Sequence, residues 1–396
     1  MAGSHAADSG QGGIGAASEE AGATSVQDAA DAVDVADAEE SGAPACQYPL
    51  DNCDRAWLNG CETDLWSDAN HCGRCGAVCD GVCGRRGCLA PDTLSELSIT
   101  PGTPFAVTAD YLYFVSGERG GPFRLSRIDE LGHAPEVLAD DLPEFSEIAA
   151  SANRLYLWGF GENLRSSNLQ GVLVDEGFVV SAVAPSESAV YAVSHGVLLA
   201  RKAGDTTWAR TTWFASEAGS VELWPIDVSG ELVVVRMFEG ESPARYEIEL
   251  IDRPDSPDGG VMSLASGSGT PVRLRALSDY VYWLVRTEDG DSDVYELHRI
   301  RTSINSPNEL LARGRGATDF ALDSSFAYVT RSLAQGYQIE VISVGSISEK
   351  IRMGTRFEIQ FPESFGGQLW FFAYDAATAT APSKSLRRVD LRIGKL

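Results

Sequence analysis

The feature that leaves the fewest folds open is a short apolar and aromatic run that returns seven times down the chain. Its cores are Leu112-Tyr113-Phe114, Leu155-Tyr156-Leu157-Trp158, Val190-Tyr191-Ala192, Leu232-Val233-Val234-Val235, Val281-Tyr282-Trp283, Ala327-Tyr328-Val329 and Leu369-Trp370-Phe371-Phe372. With Tyr113, Tyr156, Tyr191, Val233, Tyr282, Tyr328 and Trp370 as anchors, the steps are 43, 35, 42, 49, 46 and 42 residues. A period of ~40 to 45 residues is that of one propeller blade. Ser151 to Gly171 is the clearest copy: a polar turn, an apolar run, a Gly-rich hairpin and a second run. That is two antiparallel strands with turn chemistry on either side.

Each core is preceded by a short first strand, as in Phe105-Ala-Val, Ile148-Ala-Ala, Ala182-Val-Ala, Pro225-Ile-Asp-Val and Phe320-Ala-Leu. A third strand follows, as in Arg124-Leu-Ser-Arg-Ile, Tyr246-Glu-Ile-Glu-Leu and Tyr295-Glu-Leu-His-Arg-Ile, then a fourth, as in Glu136-Val-Leu, Val261-Met-Ser-Leu and Glu309-Leu-Leu. The second strands are apolar on consecutive residues, as expected where neighbouring blades cover both faces; the third strands alternate, as expected nearer a wet rim. The last copy lacks a fourth strand, and the orphan run Leu94 to Ile99 precedes the first copy. That run is expected to complete the final blade and close the ring. The fold class is therefore all-β: a β-propeller over 91–396, seven blades favoured and six the alternative. Ahead of it come a Cys-rich module over 45–90 and a disordered acidic linker over 1–44.

All eight cysteines, Cys46, Cys53, Cys61, Cys72, Cys75, Cys79, Cys83 and Cys88, lie in one Gly- and Asp-rich segment poor in aliphatic residues. An even count in so thin a core implies four structural disulfides and an oxidising compartment. Zinc is the competing chemistry, but structural zinc sites usually show two paired knuckles, and here only Cys72-x-x-Cys75 is present, with His71 as the nearby imidazole. The pairing among the eight stays open. The acids Asp51, Asp54, Glu62, Asp64 and Asp68 miss the calcium-loop spacing; Asp289, Asp291 and Asp293 stand at alternate positions as in such a loop but lack its distal Glu, and Asp252, Asp255 and Asp258 are discounted likewise. All are expected in solvated turns, with calcium the one cofactor left open and none otherwise expected.

Asn59 to Leu65, NGCETDL, followed by His71 to Cys79, HCGRCGAVC, resembles a short Cys-rich module of secreted myxobacterial proteins. That resemblance implies an exported protein, often with a repeat domain after the module. The repeats resemble the extracellular Tyr-Trp-Thr-Asp propeller class, most nearly in Leu155 to Gly171 and Tyr280 to Ile300. This implies binding of partners on one face rather than catalysis. The class is six-bladed, while seven copies are counted here. The Thr-Asp half of the motif is missing in every copy.

Residues 1 to 44 hold nine acids and no Lys or Arg. Without aromatic residues to bury, the ordering entropy cannot be offset, so a mobile tether is expected. The whole chain carries 31 basic against 57 acidic residues, a net charge of −26. Nucleic acid needs clustered cations to displace its counterions, so it is not an expected partner. No apolar run is long enough to span a membrane. The opening MAGSHAADSG has neither a basic nor an apolar leader region. Export is therefore expected to have used a signal, or a lipoprotein signal ending in a lipidated Cys, trimmed from this chain, with an extracellular or cell-surface destination.

Chemistry is sparse. His5, His71, His133, His195 and His298 share no metal-ligand spacing, and no nucleophile elbow, P-loop or dinucleotide fingerprint occurs. No catalytic, cofactor-binding or metal-binding residue is assigned. The expected function is a non-catalytic binding platform for a protein or glycan ligand, with the chain acting as a monomer. The alternatives are a glycan hydrolase or lyase with a carboxylate pair at the central opening, and a structural spacer.

Overall fold

A computed structural model describes residues 46–390 except 55–59, 86, 98–104, 118–120, 130, 132, 160, 187, 215–225, 229–230, 239–243, 253–259, 290–291, 304–305, 334–335, 346–349, 366–367 and 375–383. The expected tether over 1–44 lies outside the described residues, as do Asp255, Asp258 and Asp291. Among those described there is no helix, and none long and apolar enough to cross a membrane.

Seven antiparallel sheets follow one another, over 106–142, 147–179, 182–214, 226–268, 270–315, 317–355 and 358–389, each laid out in chain order from its first strand. These are the blades of a seven-bladed propeller. The seventh is completed from the other end of the chain: Asp92–Leu97 pairs with Lys384–Val389, placing Ser95 opposite Leu386 and Leu97 opposite Lys384. The N-terminal strand thereby takes the outer place in the seventh blade and covers the backbone edge of Lys384–Val389.

The seven anchor residues are all buried, from Tyr113 and Trp370 at 0% exposure to Tyr191 at 6%. Their side chains fill the spaces between blades. Tyr156 and Trp158 of the second blade pack with Val183, Val190 and Ala192 of the third. Where the first blade meets the seventh, Phe105 stacks on Phe372 with ring centroids 4.4 Å apart, and Phe114 stands edge-on to both. Each such buried aromatic contributes about 2 to 3 kcal/mol of transfer free energy. Ring closure therefore rests on an aromatic cluster as well as on strand pairing.

The eight cysteines form four disulfides, Cys46–Cys61, Cys53–Cys75, Cys72–Cys83 and Cys79–Cys88. Cys53, His71 and Cys75 stand within 4.8 Å of one another, but both sulfurs are spent on one bond, so no thiolate is left there for zinc. His71 Nδ1 instead accepts the Gly76 amide at 3.0 Å. The module is not a bead on a string. Its hairpin, Val82–Gly84 and Gly87–Leu89, extends the sixth blade by pairing with Lys350–Thr355, with Cys83 opposite Gly354 and Val82 opposite Thr355. Contact there is so close that a Cβ on Gly354 would lie 1.8 Å from the Ser67 carbonyl oxygen.

Candidate functional site

In a propeller the first strand of each blade lines the central channel. Three of these strands carry a β-bulge, between Pro271 and Arg273, between Ala317 and Asp319, and between Gln360 and Glu363. A bulge re-aims the side chain beside it, and each of the three is followed at once by a charged residue. Arg273 of blade five donates to Asp319 of blade six at 3.2 and 3.4 Å. Arg275 donates to Glu363 at 2.5 Å, to the Phe320 carbonyl at 2.7 Å and to the Pro362 carbonyl at 3.1 Å, tying blades five, six and seven together.

Glu147, the first residue of blade two's inner strand, faces this group from across the ring. Burial pushes its carboxyl above the usual glutamate range; Arg273 opposes that shift and Asp319 adds to it. Arg273 is itself desolvated, yet Asp319, Glu363 and Glu147 together keep its guanidinium firmly charged. The axis thus carries two cations and three carboxylates from four blades, in direct ion pairs for Asp319 and Glu363.

Outside the axis, arginines on third strands bridge blades. Arg127 lies 4.3 Å over the Tyr111 ring, donates to Glu136 at 2.8 Å and reaches the Leu169 carbonyl of the next blade at 3.1 Å. Arg299 repeats the arrangement with Tyr280, Glu309 and the Val344 carbonyl. In blades one and five the basic residue on the third strand is thus a clamp to the next blade. The remaining described histidines are also held locally: His133 by Asp129, His195 beside Ser194, and His298 stacked on Trp283 and bonded to Glu296 and Asn308.

The docked module creates two grooves on either side of Asp64. One, about 380 Å³, lies between Glu62, Asp64 and Asp68 of the module and Tyr337, Gln338 and Arg356 of blade six. The other, about 340 Å³, is lined by Asp64, Trp66, Arg85, Ile351 and Arg352. Asp64 accepts the Trp66 amide at 3.0 Å and the Ser67 hydroxyl at 2.9 Å, which fixes the partition between the grooves. Trp66 Nε1 donates to the Tyr48 hydroxyl at 2.9 Å, and the Arg85 guanidinium lies 5.0 Å from the indole centre. Clefts of this size at a domain junction, with convergent polar groups, are where ligands commonly bind.

The sequence reading assigned none of these residues to a site. Asp51, Glu62, Asp64 and Asp68 were legible as turn acids, and each accepts a backbone amide, but Asp51 and Asp64 stand in the paired strands Leu50–Asp51 and Thr63–Asp64 rather than in turns. Asp289 and Asp293 flank the tip of the hairpin between the second and third strands of blade five. The axis charges were missed because the inner strands of blades five and seven have weak apolar patterns. A polar residue just ahead of each inner-strand core, Glu147 before Ile148 and Asp319 before Phe320, was the available signal.

No family model matches the chain, and no curated protein sequence matches it. Solved structures that match are of low identity. Hydrazine synthase of Kuenenia stuttgartiensis is 12% identical at a TM-score of 0.48, over 73% of this chain and 96% of that one. Hsv2 of Kluyveromyces lactis is 11% identical at 0.44, over 72% and 98%. TolB from Acinetobacter baumannii is 11% identical at 0.41, over 58% of this chain, which spans 59% of TolB. The class the fold defines is a seven-bladed β-propeller carrying a four-disulfide module on its sixth blade.

Proposed function

We propose that the protein is an exported, non-catalytic binding propeller whose recognition surface is the pair of grooves flanking Asp64, and that its ligand is a glycan. The observation that carries this is the lining of those grooves. Carboxylates, an amide and arginines able to meet hydroxyl groups stand beside the rings of Trp66 and Tyr337, the mixture a polyhydroxylated chain requires. Four disulfides are compatible with an oxidising, extracellular setting, and a net charge of −26 disfavours polyanionic partners. The test is a melting screen of the protein against neutral glycans, with calcium as a separate arm because Glu62, Asp64 and Asp68 share one groove. A ligand of the native state raises the melting temperature. Trp66→Ala or Tyr337→Ala should weaken that response at least tenfold. A panel without response, together with capture of a protein partner that survives both substitutions, refutes the glycan reading.

One observation favours a second reading, a glycan hydrolase or lyase acting at the axis. The raised carboxyl of Glu147 beside the paired carboxylate of Asp319 is the division of labour a general acid and its partner need. Release of new reducing ends from a polysaccharide panel, abolished in Glu147→Gln, would establish it.

A further inference from the structure

Cys53, His71 and Cys75 form the one group of histidine, cysteine and acidic side chains, among the described residues, whose ligand atoms all lie within 4.8 Å of one another. It is not the set that the Cys-x-x-Cys spacing suggests, because Cys72 is buried and bonded to Cys83. In the oxidised chain the two sulfurs are joined to each other. Their bridge is also the most accessible of the four. Cys75 is exposed and Cys53 half-buried, whereas buried Cys72, Cys79 and Cys83 shield two of the other bridges and Cys46–Cys61 is half-buried at both ends. Thiol exchange depends on such access. A dithiol that reaches Cys75 passes two electrons and two protons to the bridge and leaves as its own disulfide, so that both cysteines become thiols.

The neighbours of the bridge complete a ligand set. Tetrahedral zinc, at about 2.3 Å from sulfur and 2.1 Å from nitrogen, holds its ligand atoms roughly 3.6 to 3.8 Å apart. A group gathered within 4.8 Å reaches that spacing once the sulfurs are free to part. Asp51 Oδ2 lies 3.3 Å from Cys75 Sγ, and its Oδ1 accepts the Asn52 amide at 2.8 Å, which orients the carboxylate and leaves Oδ2 facing the sulfur. His71 Nδ1 accepts the Gly76 amide at 3.0 Å, so the lone pair of the ring is directed at the Cys75-Gly76 turn. The net charge of −26 favours a cation as the guest.

We propose that Cys53, His71 and Cys75, with Asp51 as fourth ligand, form a redox-gated site for zinc, closed by the disulfide and opened by its reduction. Zinc entering the reduced site displaces the two thiol protons to solvent. The inference is independent of the glycan reading, since none of the four residues lines either groove.

The test uses the full chain, reduced anaerobically with a water-soluble phosphine, which ends as its oxide with oxygen taken from water and leaves no competing thiol. Cobalt(II) is titrated in as the probe, because tetrahedral thiolate ligation gives it strong visible absorption. Saturation at a single ion per chain is expected, followed by displacement with zinc, which such a set binds more tightly. The oxidised chain should show no such absorption. Cys53→Ser combined with Cys75→Ser, which leaves the other six cysteines in place, should abolish it. Reduced His71→Ala should need roughly tenfold more cobalt for half-saturation, while oxidised His71→Ala should melt within about 2 °C of the parent. No absorption in the reduced parent overturns the proposal. So does absorption that the double variant keeps, since the metal would then sit on other cysteines, and so does unchanged half-saturation in reduced His71→Ala.

Discussion

Glu176 is the residue whose loss should cost the ring most for a single carboxylate. It sits on the outer strand of blade two and accepts bonds from Arg201 at 2.7 Å, Trp208 Nε1 at 3.0 Å and Ser166 Oγ at 2.5 Å. The two charged side chains are 7% and 6% exposed, so screening by water is slight. Glu176→Ala leaves the Arg201 charge, an indole N–H and a hydroxyl without their acceptor. Breaking a buried pair from one side costs about 3 to 5 kcal/mol. Denaturant unfolding read by tryptophan fluorescence, compared with the parent chain, measures this directly. The pH dependence follows from the same contacts. Burial would raise the Glu176 carboxyl, but the bonds from Ser166, Trp208 and Arg201 outweigh it and hold the group below the ordinary glutamate range. A group held low in the folded state contributes stability above its unfolded value of about 4.3, and that contribution is lost as pH falls through the lowered folded value. The difference between parent and variant should therefore be full at pH 7 and shrink below about pH 4. The double variant Glu176→Leu with Arg201→Met, which removes both charges, should recover most of the loss. A cost under about 1 kcal/mol for Glu176→Ala at pH 7 would refute the reasoning, because it would mean that the pair is not desolvated.

Gly354→Val should lift the Cys-rich module off blade six, since its side chain would meet the Ser67 carbonyl; protease digestion should then release the module region while the ring stays resistant, and intact docking would count against the contact. A chain beginning at residue 100 lacks the strand Asp92–Leu97, so blade seven would present an open edge at Lys384–Val389. It should melt well below the parent or self-associate, as light scattering would show, and parental melting in a monomer would refute closure by that strand.

The apolar repeat determined the blade count and the identity of the second strands by itself, because a strand covered on both faces must be apolar at consecutive positions and that signal is local. The orphan run ahead of the first copy told equally well how the ring closes, and the cysteine cluster foretold bridges, though not which sulfur meets which. The charged site at the axis was beyond reach from sequence. Arg273, Asp319 and Glu363 are each aimed by a bulge in a different blade, and Glu147 enters from across the ring. Their proximity arises only when the ring closes, since 216 residues, from 147 to 363, separate the first from the last. The same holds for the Cys-rich hairpin. Its pairing with Gly354 and Thr355 uses backbone groups, which carry no residue signature, so nothing in the cysteine spacing marks blade six as its place. The grooves beside Asp64 exist because of that pairing, and they belong to the tertiary structure alone.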